Sequence, residues 1–216
     1  MSTERRTPLD RERVARTALR LLNDVGLDGL TLRAIAKELD VKAPALYWHF
    51  KDKQALLDEM ATEMYRRMVA GTVFDPADTW RDRLLKANRG LRAALLCYRD
   101  GAKVFSGSRF TGTEHAREME EHLRVLTAAG LSLAQAVSAA RTASMFTIGF
   151  VTEEQGVVPL PGERREGYDV AERARRMAAH PLAAEAGQLL FDDYDEQFEE
   201  GLALVIAGVG ARYGIG

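Results

Sequence analysis

A chain of 216 residues, 46% hydrophobic and 29% charged, has the ordinary make-up of a globular protein and is long enough for one or two buried cores. Its net charge of −2 argues, taken whole, against a polyanion partner, yet residues 1–53 hold eleven Lys or Arg against eight acids, a net of +3 that leaves −5 for the rest. A single cysteine, Cys97, excludes an internal disulfide framework, suits a reducing compartment, and reads as a small apolar filler within a helix. The polar start MSTERRTPLD lacks the apolar segment of a secretory signal, and no apolar run of about 18 residues is present, so a cytoplasmic location without a membrane partner is expected.

Helical periodicity dominates and no alternating strand pattern emerges, which predicts an all-α fold. Asp10 can cap a first helix carrying Val14, Ala18, Leu21, Leu22 and Val25 on one face, with Gly26 ending it. Thr31 can cap a short helix with Ile35, Ala36 and Leu39 inward. Asp40 and Val41 make a tight break, and Pro44 starts another short helix to about His49. Lys53 begins a long helix with Leu56, Leu57, Met60, Met64 and Met68 inward. Further helices are expected near 77–97, 98–104, 114–129, 132–154, 169–179 and 184–211, with a Gly-rich turn at 106–112 and a mobile loop at 156–168. The division that follows is a reading domain 1–53 and a body 54–216, with helix 53–70 as connector.

Two short helices joined by a tight turn form a helix-turn-helix, whose second helix can lie in the major groove. Here the pieces are TLRAIAKEL, DVKA and PALYWHF. Ala36 is small where the helices approach, Val41 and Leu46 would fix the crossing, and Lys42, Ala43, Ala45, Tyr47 and His49 fall on the outer face. On pattern alone, an ordinary three-helix packing unit accounts for the segment equally well.

Residues 9–60, through LLNDVG and LDGLTLRAIAKELDVKAPALYWHFKDKQALLDEM, resemble the DNA-binding domain of the tetracycline repressor (TetR) family. Residues 91–109 and 126–155 resemble the regulatory body of the tetracycline repressors, so most of the chain is covered. The resemblance implies an N-terminal three-helix helix-turn-helix domain on a helical ligand-binding and dimerisation body. It implies that Thr31 and Arg33 meet phosphate or a base, that Pro44, Tyr47 and His49 meet the backbone or thymine methyls, and that Lys53 binds phosphate. Trp48 is read as packing into the small core. Three positions depart from the pattern: Leu32 replaces a Thr, and Ala43 and Ala45 replace a Gln and a Thr that read bases. Readout then leans on Arg33, Lys42 and apolar contacts, at an operator different from the tetracycline one.

The same resemblance implies a homodimer on double-stranded DNA and a small-molecule inducer. The expected interface runs along Phe191, Tyr194, Phe198, Leu202, Val205 and Val209, with Leu133, Val137, Ala140, Ser144 and Val151. Periodicity alone allows both stripes to face the monomer's own core. The tetracycline repressors hold a drug–magnesium chelate, but here the metal-ligating histidine is Phe105, the drug-anchoring histidine is Val69, the anchoring asparagine is Ala87, a nearby aromatic is Leu91 and a third histidine is Met145. Glu153 keeps a position that would matter only for a magnesium chelate, and no cofactor is expected. Phe105, Ser108, Arg109, Phe110, Met119, His122, Met145, Phe146 and Phe150 are the candidate pocket residues, for a hydrophobic antibiotic or aromatic polyketide. A tetracycline-responsive repressor and an activator of the same fold are the alternatives. Enzyme motifs are lacking: the four histidines show no metal spacing, and no phosphate loop or nucleophile motif occurs.

Overall fold

The computed structural model describes residues 9–216, and among them there are eleven helices and no strand. The start of the expected reading domain, with Arg5 and Arg6, lies outside the described residues. Helix α1 (Arg11–Gly29) is capped by Asp10, whose carboxylate accepts from the Arg13 amide at 2.7 Å. It does not stop at Gly26. The chain kinks there, at φ 67°, and continues for a short turn. Helices α2 (Leu32–Glu38), α3 (Ala43–Tyr47) and α4 (Lys53–Gly71) follow. Val14, Ala18 and Leu22 of α1 meet Ile35 and Ala36 of α2, Leu46 of α3, Phe50, and Leu56, Met60 and Met64 of α4 in one core. That core continues through Leu91, Leu95, Ala102, Val104 and Val151, so packing does not break at residue 53.

The remaining helices are α5 (Trp80–Leu96), α6 (Gly101–Phe105), α7 (His115–Ala128), α8 (Leu133–Val157), α9 (Val170–Arg176), α10 (Pro181–Phe191) and α11 (Tyr194–Tyr213). Capping boxes start α5 (Thr79 with Asp82) and α8 (Ser132 with Gln135). Helix α6 begins three residues later than expected. Asp100 adopts a left-handed turn at φ 56°, and a Cβ on Gly101 would sit 2.1 Å from the Leu95 carbonyl oxygen. The single helix expected over 184–211 is two helices, because Asp193 at φ 42° leaves the helix and caps α11 by accepting from the Glu196 amide.

A second core joins Trp80 and Leu84 of α5, Leu126 of α7, Ala136, Ala139 and Ala143 of α8, and Phe198, Leu202, Ile206 and Val209 of α11. Arg92 on α5 pins these layers, with Glu154 at 2.7 and 3.0 Å and Asp195 at 2.6 Å. The expected interface stripes therefore turn inward at Phe198, Leu202, Val209 and Val151. On α8, α10 and α11 the exposed large apolar residues are Leu133, Val137 and Met145, then Leu182, Leu189 and Leu190, and Leu204. Periodicity reveals that a stripe exists but not which neighbour covers it. Cys97 is likewise not a buried filler: it is exposed at the C-cap of α5, with its thiol 3.2 Å from the Ala93 carbonyl oxygen.

Candidate DNA interface and ligand cavity

Thr31 caps α2, its hydroxyl oxygen accepting from the Ala34 amide at 3.1 Å and leaving the hydroxyl proton to donate outward. Asp40 turns the chain at φ 52°, and the Val41 amide closes the turn on the Ala36 carbonyl at 3.0 Å. This local chemistry sets α3 against α2 with Leu46 inward. Arg33, Lys42 and Pro44 are exposed, while Ala43 and Ala45 are half-buried beside them. Tyr47 is exposed, and Trp48 is 90% exposed, so the expected packing of Trp48 into the core does not occur. The reason is the shortness of α3: Leu46 and Phe50 fill the inward positions, and Trp48 follows Tyr47 outward. Lys53 donates to the Leu27 carbonyl at 2.9 Å, placing its ammonium group near the end of α1 while the side chain stays exposed.

One residue missed from the sequence holds the reading helix in place. Arg11 donates from Nε to Glu59 Oε2 of α4 at 2.8 Å and also hydrogen-bonds the carbonyl of His49, while its guanidinium lies 4.6 Å from the Phe50 ring centroid. Glu59 is buried and also faces Arg66 at 3.8 Å. The only sequence signal was an acid on the inward side of a helix, visible once the facing helix is known.

Between α4, α5, α7 and α8 lies a cavity of about 400 Å³. Of the expected residues, Phe105, Phe110, Met119 and His122 line it, and so do the apolar Val69, Ala87 and Leu91. Ser108, Arg109, Met145, Phe146 and Phe150 lie elsewhere. The Ser108 hydroxyl donates to the Val104 carbonyl at 2.6 Å, and Arg109 is exposed. Met145 is on the outer face of α8, and Phe146 and Phe150 pack on Phe198 at 5.9 and 5.5 Å. From α8, Val137, Ala140, Arg141 and Ser144 face the cavity instead, because Phe146 and Phe150 occupy the side turned to α11.

Tyr65, Phe74 and Glu118 also line the wall, and none of them was expected. Arg83 stands behind them, buried, paired with Glu118 and 3.6 Å from the Phe74 ring centroid, with its Nε finding no acceptor among the described residues. Burial, and secondarily the positive charge of Arg83, hold the His122 imidazole down to about 4, so it is neutral at neutral pH. Burial and the Glu118 charge push the Tyr65 phenol up, against the pull of Arg83.

These donors do not fit a magnesium chelate. Phe105 supplies no ligand, and Glu118 is engaged by Arg83. Among the described residues no group of three or more His, Cys, Asp or Glu is placed to hold a metal.

The cavity wall is bonded to the reading half of the chain. Phe110 touches Tyr65 at 4.7 Å between ring centroids, while its neighbours reach α4: the Arg109 amide donates to Asp58 Oδ1 and the Thr111 amide to Thr62 Oγ1, both at 3.0 Å. The turn before α6 holds the end of α1, with the Leu27 amide on Asp100 Oδ2 at 3.0 Å and the Arg99 amide on Asn23 Oδ1 at 2.9 Å.

A capped α2, a left-handed turn and an outward-facing α3, set on an all-helical body, define a helix-turn-helix DNA-binding protein. Residues 15–60 match the family model of bacterial regulatory proteins of the tetR family, and residues 74–213 match the tetracyclin repressor-like C-terminal domain. The chain is 42% identical over 207 residues to the class A tetracycline repressor from transposon 1721 of Escherichia coli, covering 95% of this chain and 93% of that relative. It superposes with a TM-score of 0.79 and 37% identity on a possible TetR family transcriptional regulator from Streptomyces coelicolor A3(2), covering 94% and 99% of the two chains. A TetR variant from Acinetobacter baumannii AYE in complex with minocycline matches with a TM-score of 0.72 and 34% identity, over 95% and 99%. The chain belongs to the TetR family of DNA-binding transcriptional regulators. No single described helix is long and apolar enough to cross a membrane.

Proposed function

We propose that this protein is a cytoplasmic repressor that binds a palindromic operator as a homodimer and is released by a small hydrophobic molecule, an antibiotic or aromatic polyketide rather than magnesium–tetracycline. The observation that carries the reading is an apolar cavity whose wall at Phe110 is hydrogen-bonded on either side to α4, the helix following the reading helix. The working units are a DNA-binding domain over 1–53 and a ligand-binding and dimerisation body over 54–216, joined by α4. Thr31, Arg33, Lys42, Pro44, Tyr47, His49 and Lys53 meet DNA, with Ala43 and Ala45 against thymine methyls, and the exposure of Trp48 adds it to that face. A lone helix-turn-helix reads one half-site, so two copies are needed for a palindrome. Met145, Leu204, Leu182, Leu189 and Leu190 leave an apolar surface that supports pairing with a second copy. Ligand shifts the population only by preferring the form that does not fit DNA, and DNA weakens ligand binding by the same factor.

The test is a gel shift on a palindrome selected from random DNA, challenged with a panel of hydrophobic antibiotics and aromatic polyketides, with and without EDTA. Release by one compound in both conditions is expected. Release by tetracycline alone, lost in EDTA, would overturn the ligand assignment. A reporter gene repressed by the protein supports repression, and one activated by it refutes that part.

A further inference from the structure

Resting on the reading of the cavity as an effector site, we propose that its ligand is an amphipathic monoacid, an apolar body carrying one carboxylate, and that Arg141 receives the carboxylate at the mouth of the cavity together with Ser144. Glu118 on α7 and Arg141 on α8 are the charged residues among those lining the cavity. Glu118 is neutralised by the buried Arg83 behind it, and the imidazole of His122 is neutral. Arg141 makes no ion pair and no hydrogen bond with any described residue. Arg83, Arg89 and Arg92 of the neighbouring α5, in contrast, are each paired with a carboxylate. The cavity wall is therefore left with one uncompensated positive charge.

Val137, Arg141 and Ser144 follow one another along α8 at helical spacing and share the face turned to the cavity. Arg141 is exposed and still lines the cavity, so it stands where the cavity opens, and an anion bound there keeps part of its hydration. A guanidinium grips a carboxylate through two parallel N–H bonds. The Ser144 hydroxyl is half-buried and makes no hydrogen bond with a described residue, so its proton is available to the same carboxylate. Thr72 plays no such part, because its hydroxyl already donates to the Met68 carbonyl at 2.8 Å. Beyond the mouth, Val69, Leu91, Phe105 and Phe110 supply apolar wall for the body of the ligand. The single free cation matches a monoanion. A phosphate monoester would bring a second charge with no partner, and a cationic ligand would set like charges together.

The probes are fluorene carboxylate, fluorene carboxamide and aminomethylfluorene, which share a ring body and carry a negative, a neutral and a positive group at neutral pH. Binding to the full-length protein is measured by titration calorimetry for wild type, Arg141→Gln, Arg141→Lys, Ser144→Ala and Ala87→Phe, with folding checked by circular dichroism. The carboxylate is expected to bind at least about tenfold more tightly than the amide, and the amine more weakly than either. Arg141→Gln should bring the carboxylate to within about threefold of the amide and leave the amide unchanged. Arg141→Lys should keep an intermediate preference that added salt weakens. Ser144→Ala should weaken the carboxylate severalfold and spare the amide; unchanged carboxylate binding there removes Ser144 from the site. Ala87→Phe narrows the cavity and should weaken both ligands. Because Arg141 is exposed, its variants carry the test alone if Ala87→Phe does not fold. Equal binding of carboxylate and amide, a full preference retained in Arg141→Gln, or undiminished carboxylate binding in folded Ala87→Phe overturns this inference alone. No binding by any of the three overturns it together with the hydrophobic-effector reading.

Discussion

Gln155 is 5% exposed near the end of α8, and its side chain clamps the turn between α5 and α6. Its Oε1 accepts from the Ala102 amide at 3.1 Å, and its Nε2 donates to the Leu95 carbonyl at 3.3 Å and the Tyr98 carbonyl at 2.7 Å. Gln155→Leu keeps most of the volume and removes all three bonds. The two carbonyls retain other partners, the amides of Tyr98 and Gly101, so each loses about 0.5–1 kcal/mol. The Ala102 amide, in the first turn of α6, has no helical acceptor, and burying it unpaired costs about 1–3 kcal/mol. The expected loss is therefore about 3 kcal/mol. It is read as a lower urea midpoint at unchanged slope, followed by far-ultraviolet circular dichroism. Because the same turn holds Leu27 and Asn23 of α1, the end of α1 should also lose amide-exchange protection. A loss below about 1 kcal/mol, or protection unchanged at Leu27, would refute the clamp.

Arg11→Ala should lower stability by only about 1 kcal/mol, since the arginine is partly exposed, yet weaken operator binding several-fold because the end of the reading helix loses its tie to α4. Unchanged anisotropy titrations on operator DNA would refute that positioning role. His122 has a folded pKa depressed to about 4 from 6.5, so its contribution is fully present above about pH 6.5 and is lost as pH falls towards about 4. His122→Phe should therefore gain stability relative to wild type over that interval, in an environment otherwise set by Arg83, Glu118 and Tyr65; a pH-independent difference in urea midpoints would count against a buried neutral imidazole. Leu204→Glu combined with Met145→Glu should turn a dimer into a monomer in sedimentation without unfolding it, and a persisting dimer would move the interface elsewhere. Trp48→Ala should change stability by less than about 0.5 kcal/mol while reducing operator affinity, and full affinity would remove Trp48 from the DNA face.

What the sequence by itself determined is what rests on local chemistry. Asp10 and Thr31 announce their helices because a side-chain cap needs only the next three residues. The tight break at Asp40 and Val41, and the inward set Ile35, Ala36 and Leu46, follow from turn chemistry and period, so the reading unit was legible almost residue by residue. Val69, Ala87 and Phe105 are apolar in the sequence, and the structure lines the cavity with all three. Tertiary structure alone decided the rest. Phe198 and Leu204 lie on one apolar helix, but only packing against α5 and α8 made the first a core residue and left the second exposed. Glu118 meets Arg83, 35 positions away, at the cavity, a pairing that no local pattern encodes. Gln155 and Arg11 work through backbone groups that sequence cannot bring near them. Contacts within a turn are written in neighbouring residues, whereas contacts between helices depend on crossing angles and rotations that no single stripe encodes.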